Sequence, residues 1–559
     1  MPTVASYITE VLEILGVKRI YGLIGTTLLD FMDALYDHRK SIRLITTRHE
    51  QAAISMADAE YRATGGLGVA TVHGGPGFLN SILGLGIAFK DRVPLLLISG
   101  GVKRRLYGTD AMHEVDQISI VRSITRYAVR ISREEELPKI MSRALWSALS
   151  KPRGPVVIEV PEDMWRCSVD SNPREVLREL EIPSMKPGER DVEEILNLLI
   201  KAEKPAILVC GEAAYPGVES LVSELARRVG AYVMVTGNAR GACDETDPRC
   251  VGRVGFGGGS LPADRILEEA DLLLVLGDEL DDIATYGYNI IPRGDVVVVT
   301  ENKIVESRPL YYLKLVYADP YETLKALVES LRVRGLEISK PSWDSEVERF
   351  KVFWRSSLDE ALSRRYDGYA NPSKFFKRLD EKLPEKYLIT GGQGVHIVYV
   401  YDFMRIRMPR RFLAATRLGA MGYALPAAIG AKLALPDHEV IAVVGDGEFM
   451  MSVGELETIV RENIPVKIVV VNDMSYRVLL LRQRIQRRGR VIGTLLGDVS
   501  FEALARSFGV LGATVRDDSD IDKAIEEMLG SEKPFLIDLR VSREDVPPLN
   551  IEASMRAAE

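Results

Sequence analysis

The residues best suited to chemistry in this chain are two aspartates that each follow a strongly apolar run. VIAVVGDG places Asp446 between Gly445 and Gly447, and KIVVVND ends in Asp473. Apolar runs without alternation are typical of parallel strands buried on both faces, and ligands of such sheets lie at the carboxyl ends of the strands. Glycines let backbone approach a ligand, and a following helix offers free N–H groups to an anion. Carboxylate oxygens beside an anion suit Mg²⁺ that holds a phosphate.

The segment between the two aspartates has helical periodicity and completes a strand–helix–strand unit. Four apolar residues recur at the spacing of one helix face: Phe449, Val453, Leu456 and Val460. Asp473 follows Asp446 after 27 residues (473 − 446 = 27). Either aspartate alone is equally explained as a turn, cap or strand-end residue, so it is the pair that indicates a metal–phosphate site.

Short apolar runs alternate with helix-length stretches along the whole chain, which predicts parallel sheets flanked by helices. We predict an α/β fold with three doubly wound parallel-sheet domains, at residues 1–170, 188–335 and 365–545. A Pro- and charge-rich linker at 171–191 and a charged connector at roughly 333–370 separate them. Strands are predicted at 19–25, 42–47, 68–74, 94–100, 205–211, 231–237, 271–278, 295–300, 412–416, 439–447, 466–473 and 535–541, and the first block closes near 155–164.

Composition excludes several classes of function. The chain has 559 residues, of which 46% are hydrophobic and 27% charged, and a formal charge of −8, which is typical of a globular protein without a nucleic-acid surface. The four cysteines show neither a disulfide framework nor zinc-ligand spacing. The N-terminus lacks a signal-peptide pattern, and no apolar run approaches the ~18 residues of a membrane span. We therefore expect a cytoplasmic protein with no membrane or nucleic-acid partner.

The spacing of Gly-Asp-Gly and Asn-Asp resembles the thiamin-diphosphate motif, and the resemblance extends over the whole chain. The sequence resembles thiamin-diphosphate enzymes of the acetolactate synthase and 2-oxo-acid decarboxylase group, including benzoylformate decarboxylase. The three blocks would then be the pyrimidine-binding, central Rossmann-like and diphosphate-binding domains. The resemblance implies that Asp446, the Asp473 side chain and the Ser475 carbonyl ligate Mg²⁺, beside Gly445 and Gly447. Many members have asparagine where Asp473 stands.

Two further segments resemble the parts of the family that bind the cofactor rings. TRHEQAAISMADAEYRATG (47–65) resembles the segment that supplies the activating glutamate, here Glu50. The resemblance implies that this carboxylate bonds the pyrimidine ring and promotes loss of the thiazolium proton. In RLGAMGYALPAAIGAKLALPD (417–437), Met421 matches the apolar residue that supports the bent cofactor. The carbonyls of Gly419 and Met421 should face the aminopyrimidine.

The segment GGQGVHIVY (391–399) resembles the family loop over the diphosphate. Gly394 and His396 are the candidate contacts. Family members usually carry an aspartate where this chain has Gly392.

Three residues are candidates for contact with the substrate. His73, in TVHGGPGFLN, and Thr26, in YGLIGTTLLDF, match a catalytic histidine and a substrate-binding serine of benzoylformate decarboxylase. His113 replaces a glutamine of acetolactate synthases and resembles a histidine of pyruvate decarboxylases. Imidazole titrates near neutral pH and is suited to moving protons. The alternatives are structural histidines and a capping threonine.

The central block departs from biosynthetic acetolactate synthases at GDELDDI (277–283). Glu279 stands where those enzymes have the arginine that receives the second 2-oxo acid. We therefore predict decarboxylation of a 2-oxo acid, with or without carboligation, and acetolactate as the minor product. FAD, usual in biosynthetic acetolactate synthases, becomes doubtful.

Two alternatives stay open. The basic run LRQRIQRRGRVIG (481–493) could bind coenzyme A phosphates, which would make the protein a 2-hydroxyacyl-CoA lyase. Otherwise such a run is a solvated helix face. A catalytically silent, cofactor-binding regulatory subunit is the alternative from another class. The resemblance implies a homodimer or homotetramer, with a small 2-oxo acid or acyl-CoA as substrate.

Overall fold

The computed structural model describes residues 1–178, 180–182 and 184–549. It contains three sheets of six parallel strands with helices on their faces. The predicted fold class, α/β with three doubly wound parallel-sheet domains, is confirmed. Residues 179 and 183 of the predicted linker lie outside the described residues.

The first sheet has the strand order β2-β1-β3-β4-β6-β5. Its strands are β1 (Arg19–Leu23), β2 (Arg43–Thr46), β3 (Gly68–Val72), β4 (Leu95–Gly101), β5 (Tyr127–Arg130) and β6 (Pro155–Pro161). The accompanying helices are α1 (Val4–Ile14), α2 (Leu29–Asp37), α3 (Glu50–Thr64), α4 (Pro76–Lys90), α5 (Gln117–Val121), α6 (Leu137–Leu149) and α7 (Glu175–Arg178).

The central sheet has the order β12-β11-β10-β7-β8-β9. Strands β7 to β9 are added toward one edge and β10 to β12 toward the other, so the strand order reverses between β7 and β10. Its strands are β7 (Pro205–Val209), β8 (Tyr232–Val235), β9 (Cys250–Arg253), β10 (Leu272–Leu276), β11 (Asp295–Thr300) and β12 (Lys314–Tyr317). The helices are α8 (Glu189–Lys201), α9 (Val218–Val229), α10 (Leu261–Glu269), α11 (Pro320–Arg334) and α12 (Pro341–Ser363).

The third sheet, β14-β13-β15-β16-β18-β17, repeats the topology of the first. Its strands are β13 (Tyr387–Gly391), β14 (Phe412–Ala414), β15 (Glu439–Gly445), β16 (Lys467–Asn472), β17 (Leu511–Val515) and β18 (Phe535–Arg540). The helices are α13 (Pro372–Lys382), α14 (His396–Phe403), α15 (Ala424–Ala434), α16 (Asp446–Ser452), α17 (Glu455–Arg461), α18 (Arg477–Gln486), α19 (Phe501–Phe508) and α20 (Ile521–Leu529).

Besides strands that the sequence did not predict, the structure differs from the sequence-based description in three places. The helix predicted between the two aspartates is divided into α16 and α17, because Gly454, a poor helix former, stands between them. The charged connector contains the long helix α12, whose Trp343 and Val347 are buried against the central domain. Cys243 and Cys250, which are seven residues apart, form a disulfide that joins the β8–β9 connection to the first residue of β9.

The first and third domains are held together by helices α3 and α15. Both helices are rich in small residues, and their buried alanines belong to one hydrophobic cluster. At Gly430 the two backbones approach so closely that a Cβ would lie 2.3 Å from the carbonyl oxygen of Met56. Because Glu50 begins α3 and the 417–423 segment leads into α15, this contact sets the spacing between two predicted parts of the site.

A buried charge network adds to this contact. Arg62 pairs with Asp58 (2.6 Å) and with Asp91 (2.8 Å). The Tyr423 hydroxyl donates to Asp58 Oδ1 (2.6 Å), which joins the first domain to the third. Within the described ranges, no helix is both long and apolar enough to cross a bilayer.

Candidate active site

The carboxyl ends of β13, β15 and β16 form one concave edge of the third sheet. Strand β13 lies between β14 and β15. The chain segments that connect β13 to its two neighbours run on opposite faces of the sheet, and the crevice lies between them. Gly392, Asp446 and Asp473 follow these three strands directly. The structure therefore brings together the loop, the Gly-Asp-Gly turn and the Asn-Asp turn that the sequence places far apart.

His396 stands at the centre of this crevice and begins α14. Two glycines give its ring space: a Cβ at Gly394 or at Gly445 would lie 2.8 Å or 2.9 Å from its Nδ1. Burial, and secondly the charge of Arg477, lowers the pKa of His396 to about 3. Within the part of the chain that the structure describes, its buried Nε2 has no hydrogen-bond partner. A neutral ring with one nitrogen unsatisfied, between glycines, fits a ligand oxygen such as that of a diphosphate.

The two predicted metal carboxylates are buried side by side. Burial and the charge of Asp473 raise the pKa of Asp446 to about 7. Burial also raises the pKa of Asp473, although Arg477 opposes the shift and lies 3.0 Å from its Oδ2. Ser475, the third predicted ligand, donates its hydroxyl to Asp473 Oδ1. A divalent cation would relieve the repulsion between the two carboxylates, so the donor set fits Mg²⁺.

The rest of the Gly-Asp-Gly turn is closely packed. A Cβ at Gly447 would lie 2.4 Å from the ring of Tyr476. The backbone around Ser475 is held by a bond from Tyr476 N to Thr494 O (2.9 Å) and by one from Leu496 N to Met474 O (2.8 Å). The carbonyl of position 475 therefore belongs to a fixed segment beside Asp446.

Glu50 lies at the first turn of α3 and its side chain is buried. Asn80 donates to its Oε2 (3.0 Å), and a Cβ at Gly77 would lie 3.0 Å from its Oε1. The next residue, Gln51, donates to the carbonyl oxygen of Met421 (3.3 Å). The structure thus brings the start of α3 to the turn that contains Met421, within one chain.

The turn before α15 depends on glycine. Gly419 and Gly422 have φ of 67° and 86°, in the left-handed region that other residues rarely adopt. Met421 is half-buried between them. The carbonyl of Met421, one of the two predicted ring contacts, accepts the bond from Gln51.

The two candidate histidines meet edge to face, with His73 and His113 ring centroids 4.6 Å apart. Burial, and then the charge of His113, lowers the pKa of His73. Thr26 is exposed in a short 3₁₀ turn, and the neighbouring Thr27 is the threonine that reaches His73, with Oγ1 2.8 Å from Nδ1. Gly74 N donates to the same Oγ1 (3.1 Å), so Thr27 is fixed from both sides.

Glu279 lies at the carboxyl end of β10, beside the crevice of the central sheet. Its carboxylate accepts hydrogen bonds from Gly211 N (3.1 Å), from Thr236 Oγ1 and from Asn238 Nδ2 (3.3 Å). Burial raises the pKa of Glu279, but Arg417 and these donors outweigh burial and lower it. Glu279 is therefore ionised, and its charge is already balanced by Arg417 and by the hydrogen bonds that its carboxylate accepts.

Other carboxylates occupy the same crevice. Asp278 pairs with Arg92, and Glu212 accepts from Thr300 Oγ1 (2.7 Å) and Glu301 N (3.0 Å). Topological switch points of this kind bind dinucleotides through their phosphates. Basic side chains line the same pocket, among them Arg92, Lys151, Arg153 and Arg410, so its lining carries both signs of charge.

The basic run lies mostly on the surface. Arg487, Arg488 and Arg490 are exposed, and Arg484 pairs with Glu544 (3.0 Å). Arg482 stacks on Phe256 of the central domain at 5.2 Å. The structure thus describes a solvated, basic edge beside the third sheet.

Sequence reasoning missed several residues of this neighbourhood. Thr27, Asn80, Gln51 and Glu448 form hydrogen bonds with predicted site residues or their turns, and the charge of Arg417 acts on Glu279. Thr27 and Gln51 directly follow Thr26 and Glu50 in the sequence. A prediction that included the neighbours of each candidate residue would have found them. Glu448, a carboxylate within the first turn after Gly-Asp-Gly, also had a signal, whereas Arg417 had none.

Comparisons with known proteins cover the whole chain. Three thiamine pyrophosphate (thiamin diphosphate) enzyme models match: the N-terminal TPP-binding domain at 2–120, the central domain at 192–327 and the C-terminal TPP-binding domain at 392–539. A probable acetolactate synthase large subunit of Methanocaldococcus jannaschii is 30% identical, over 98% of this chain and 93% of its own length. The chain belongs to the thiamine pyrophosphate enzyme family.

Two further relatives narrow the type of thiamine pyrophosphate enzyme. Acetolactate synthase isozyme 2 large subunit of Escherichia coli is 29% identical, over 98% of this chain and 97% of that protein. A chloroplastic acetolactate synthase of Arabidopsis thaliana is 30% identical, over 96% of this chain and 81% of that protein. The predicted recognition is confirmed: this is an acetolactate synthase-like, thiamine pyrophosphate-dependent enzyme that forms or cleaves C–C bonds. Neither a 2-hydroxyacyl-CoA lyase nor a catalytically silent subunit is favoured.

Proposed function

We propose that this enzyme decarboxylates a 2-oxo acid and transfers the acyl unit to a second 2-oxo acid, giving acetolactate when both are pyruvate. The observation that carries the proposal is the state of Glu279. A free carboxylate in that place would repel the second substrate, and this repulsion was the reason for predicting aldehyde as the main product. Because the Glu279 carboxylate is bonded by three donors and faces Arg417, that reason loses its support.

The cofactor would be held by the residues of the third sheet's crevice. Asp446, Asp473 and the carbonyl of Ser475 would ligate Mg²⁺. The diphosphate would lie against the segments of Gly394, His396, Gly445 and Gly447, and the rings against Gly419, Met421 and Glu50. When bound, thiamin diphosphate supplies the nucleophilic carbon and the electron sink for the C–C bond chemistry.

Glu50 has the position needed to act on the aminopyrimidine ring. Its carboxylate is buried, and one oxygen is already fixed by Asn80. Gly77 leaves the other oxygen uncovered by a side chain. This arrangement orients a carboxylate that accepts and returns a proton at one ring nitrogen.

The two histidines would manage protons near the substrate. Thr27 can donate its hydroxyl proton to His73 Nδ1, which leaves the ring N–H on Nε2. In that tautomer Nε2–H is free to donate a hydrogen bond, and the lowered pKa of His73 favours the neutral ring. The paired rings also favour a second candidate function, in which the product of decarboxylation is protonated and leaves as an aldehyde. Thr26 is exposed on the same turn, so it would contact the carboxylate of a substrate only on the solvent-facing side of this turn.

We further propose that the enzyme does not need FAD, because the central block departs at Glu279 from the pattern of biosynthetic acetolactate synthases. A flavin-free preparation with full activity, checked by its absorbance near 450 nm, would support this.

A homodimer or homotetramer and a cytoplasmic location are also part of the proposal.

The test of the proposed function is product identification. Purified protein with thiamin diphosphate and Mg²⁺ is given pyruvate, other 2-oxo acids and 2-hydroxyacyl-CoA thioesters, and the products are identified by mass. Acetolactate or a related acetohydroxy acid as the main product supports carboligation. Aldehyde as the main product would favour the second candidate, and cleavage of the thioester alone would overturn both.

A further inference from the structure

Glu448 connects backbone segments that belong to different parts of the proposed cofactor site. It lies in the first turn of α16, and only 2% of the residue is exposed. Its Oε2 accepts a hydrogen bond from Gln393 N (2.6 Å), and its Oε1 accepts one from Gly422 N (3.1 Å). One carboxylate thus binds the loop that follows β13 and the turn that precedes α15.

The chain makes room for this carboxylate at Gly392. A Cβ at that position would lie 2.2 Å from Glu448 Oε2 and 2.8 Å from His396 Nε2. Position 392 therefore has no side chain, and the carboxylate of Glu448 fills the volume that a side chain there would need. It is also the position at which the family resemblance predicts an aspartate.

We propose that Glu448 is a positioning residue for the cofactor: its carboxylate takes the place of a side chain at Gly392 and holds loop 391–396 and turn 419–424 together. The proposal rests on the proposed function, because those segments matter only if thiamin diphosphate lies there. Loop 391–396 carries Gly394 and His396, the turn carries Gly419 and Met421, and Asp446 is two residues before Glu448. Without the carboxylate, two buried N–H groups would lose their acceptor, and the loop and the turn would no longer share an anchor.

A side chain with two acceptor oxygens suits this function better than an amide side chain, which has only one. Both oxygens are used, and each binds a different segment. His396 Nε2 lies 3.9 Å from Glu448 Oε2, so the same group also borders the ring proposed to contact the diphosphate.

The test compares four proteins by titration calorimetry with thiamin diphosphate in the presence of Mg²⁺. They are the wild type, Glu448→Ala, the double variant Gly392→Asp with Glu448→Ser, and Glu212→Ala as a control. The control removes a carboxylate that also joins two segments, but in the central domain. We expect Glu448→Ala to weaken binding about 10- to 100-fold, as loss of a supporting residue does at a metal site. We expect the double variant to recover most of that loss, and Glu212→Ala to bind like the wild type.

Each result decides a different question. A wild type that does not bind thiamin diphosphate overturns the proposed function itself. If the wild type binds and Glu448→Ala binds equally well, the proposal for Glu448 is wrong. It is also wrong if binding falls only in step with the melting temperature and the double variant, although folded, recovers nothing. Should Glu448→Ala not fold, the double variant decides alone, since wild-type-like binding by a carboxylate moved to position 392 supports the proposal and weak binding contradicts it.

Discussion

Glu279→Gln separates the two roles that Glu279 has been given, one toward the substrate and one within the fold. Glutamine keeps the shape of the side chain but places an amide NH₂ where a carboxylate oxygen accepts from Gly211 N, Thr236 or Asn238. One buried hydrogen bond is lost, which costs about 1–3 kcal/mol. The variant also removes a negative charge that faces Arg417.

The charge effect is limited because Arg417 keeps a second partner. Arg417 lies 3.3 Å from Asp281 Oδ2, so it is not left without a counter-ion. Removing a buried partner outright costs about 3–5 kcal/mol, which is an upper bound here. We expect a loss of about 1–3 kcal/mol in the free energy of unfolding. At about 2–4 °C per kcal/mol, the melting temperature of the central domain should fall by several degrees.

The effect should depend on pH with a defined sign. The folded pKa of Glu279 is lowered, so its ionised form stabilises the fold at every pH above the unfolded value of about 4.3. This contribution is lost as the pH falls through the folded pKa. The difference in stability between wild type and Glu279→Gln should therefore be largest at neutral pH and shrink in acid.

The assay combines calorimetric melting with product analysis from pyruvate. Glu329→Gln, on the exposed face of α11, serves as the control and should change neither quantity. We expect Glu279→Gln to melt lower while its ratio of acetolactate to acetaldehyde stays within about twofold of wild type. A tenfold rise in that ratio, equivalent to about 1.4 kcal/mol, without loss of stability would show that Glu279 does repel the second substrate and would refute our reasoning.

Other predictions concern the cofactor, the histidine pair and assembly. Asp446→Asn should abolish Mg²⁺-dependent binding of thiamin diphosphate in calorimetry, and unchanged affinity would contradict the metal assignment. Glu50→Gln should bind the cofactor but exchange the thiazolium proton about 10²- to 10⁴-fold more slowly by NMR, whereas wild-type exchange would exclude its proton-transfer role. Thr27→Val should lower kcat because His73 loses its partner, and Thr27→Ser should restore it; equal rates in all three would show that His73 does not depend on this contact. Light scattering should find the active protein as a dimer or tetramer, and an active monomer would disprove the expected assembly.

The sequence predicted central strands much better than edge strands. Strands β15 and β16 are buried along almost their whole length, and their unbroken apolar runs were recognised. Strands β5, β9, β12 and β17 were not predicted. Each lies at an edge of its sheet and is only partly buried, so its sequence lacks the apolar run. Strand β13 is internal and buried, and it was missed as well.

The sequence alone determined the family, the fold class and which turns form the crevice, because glycines and carboxylates at strand ends leave a local pattern. Only the tertiary structure decided which side chains meet there. The 3₁₀ turn directs Thr27 rather than Thr26 toward His73, and Arg417 of the third domain pairs with Asp281 and lowers the pKa of Glu279 in the central domain. The carboxylate of Glu448, 56 positions later in the sequence (448 − 392 = 56), fills the space that a side chain at position 392 would occupy. Such contacts depend on how separate segments pack against one another, and no local pattern records that.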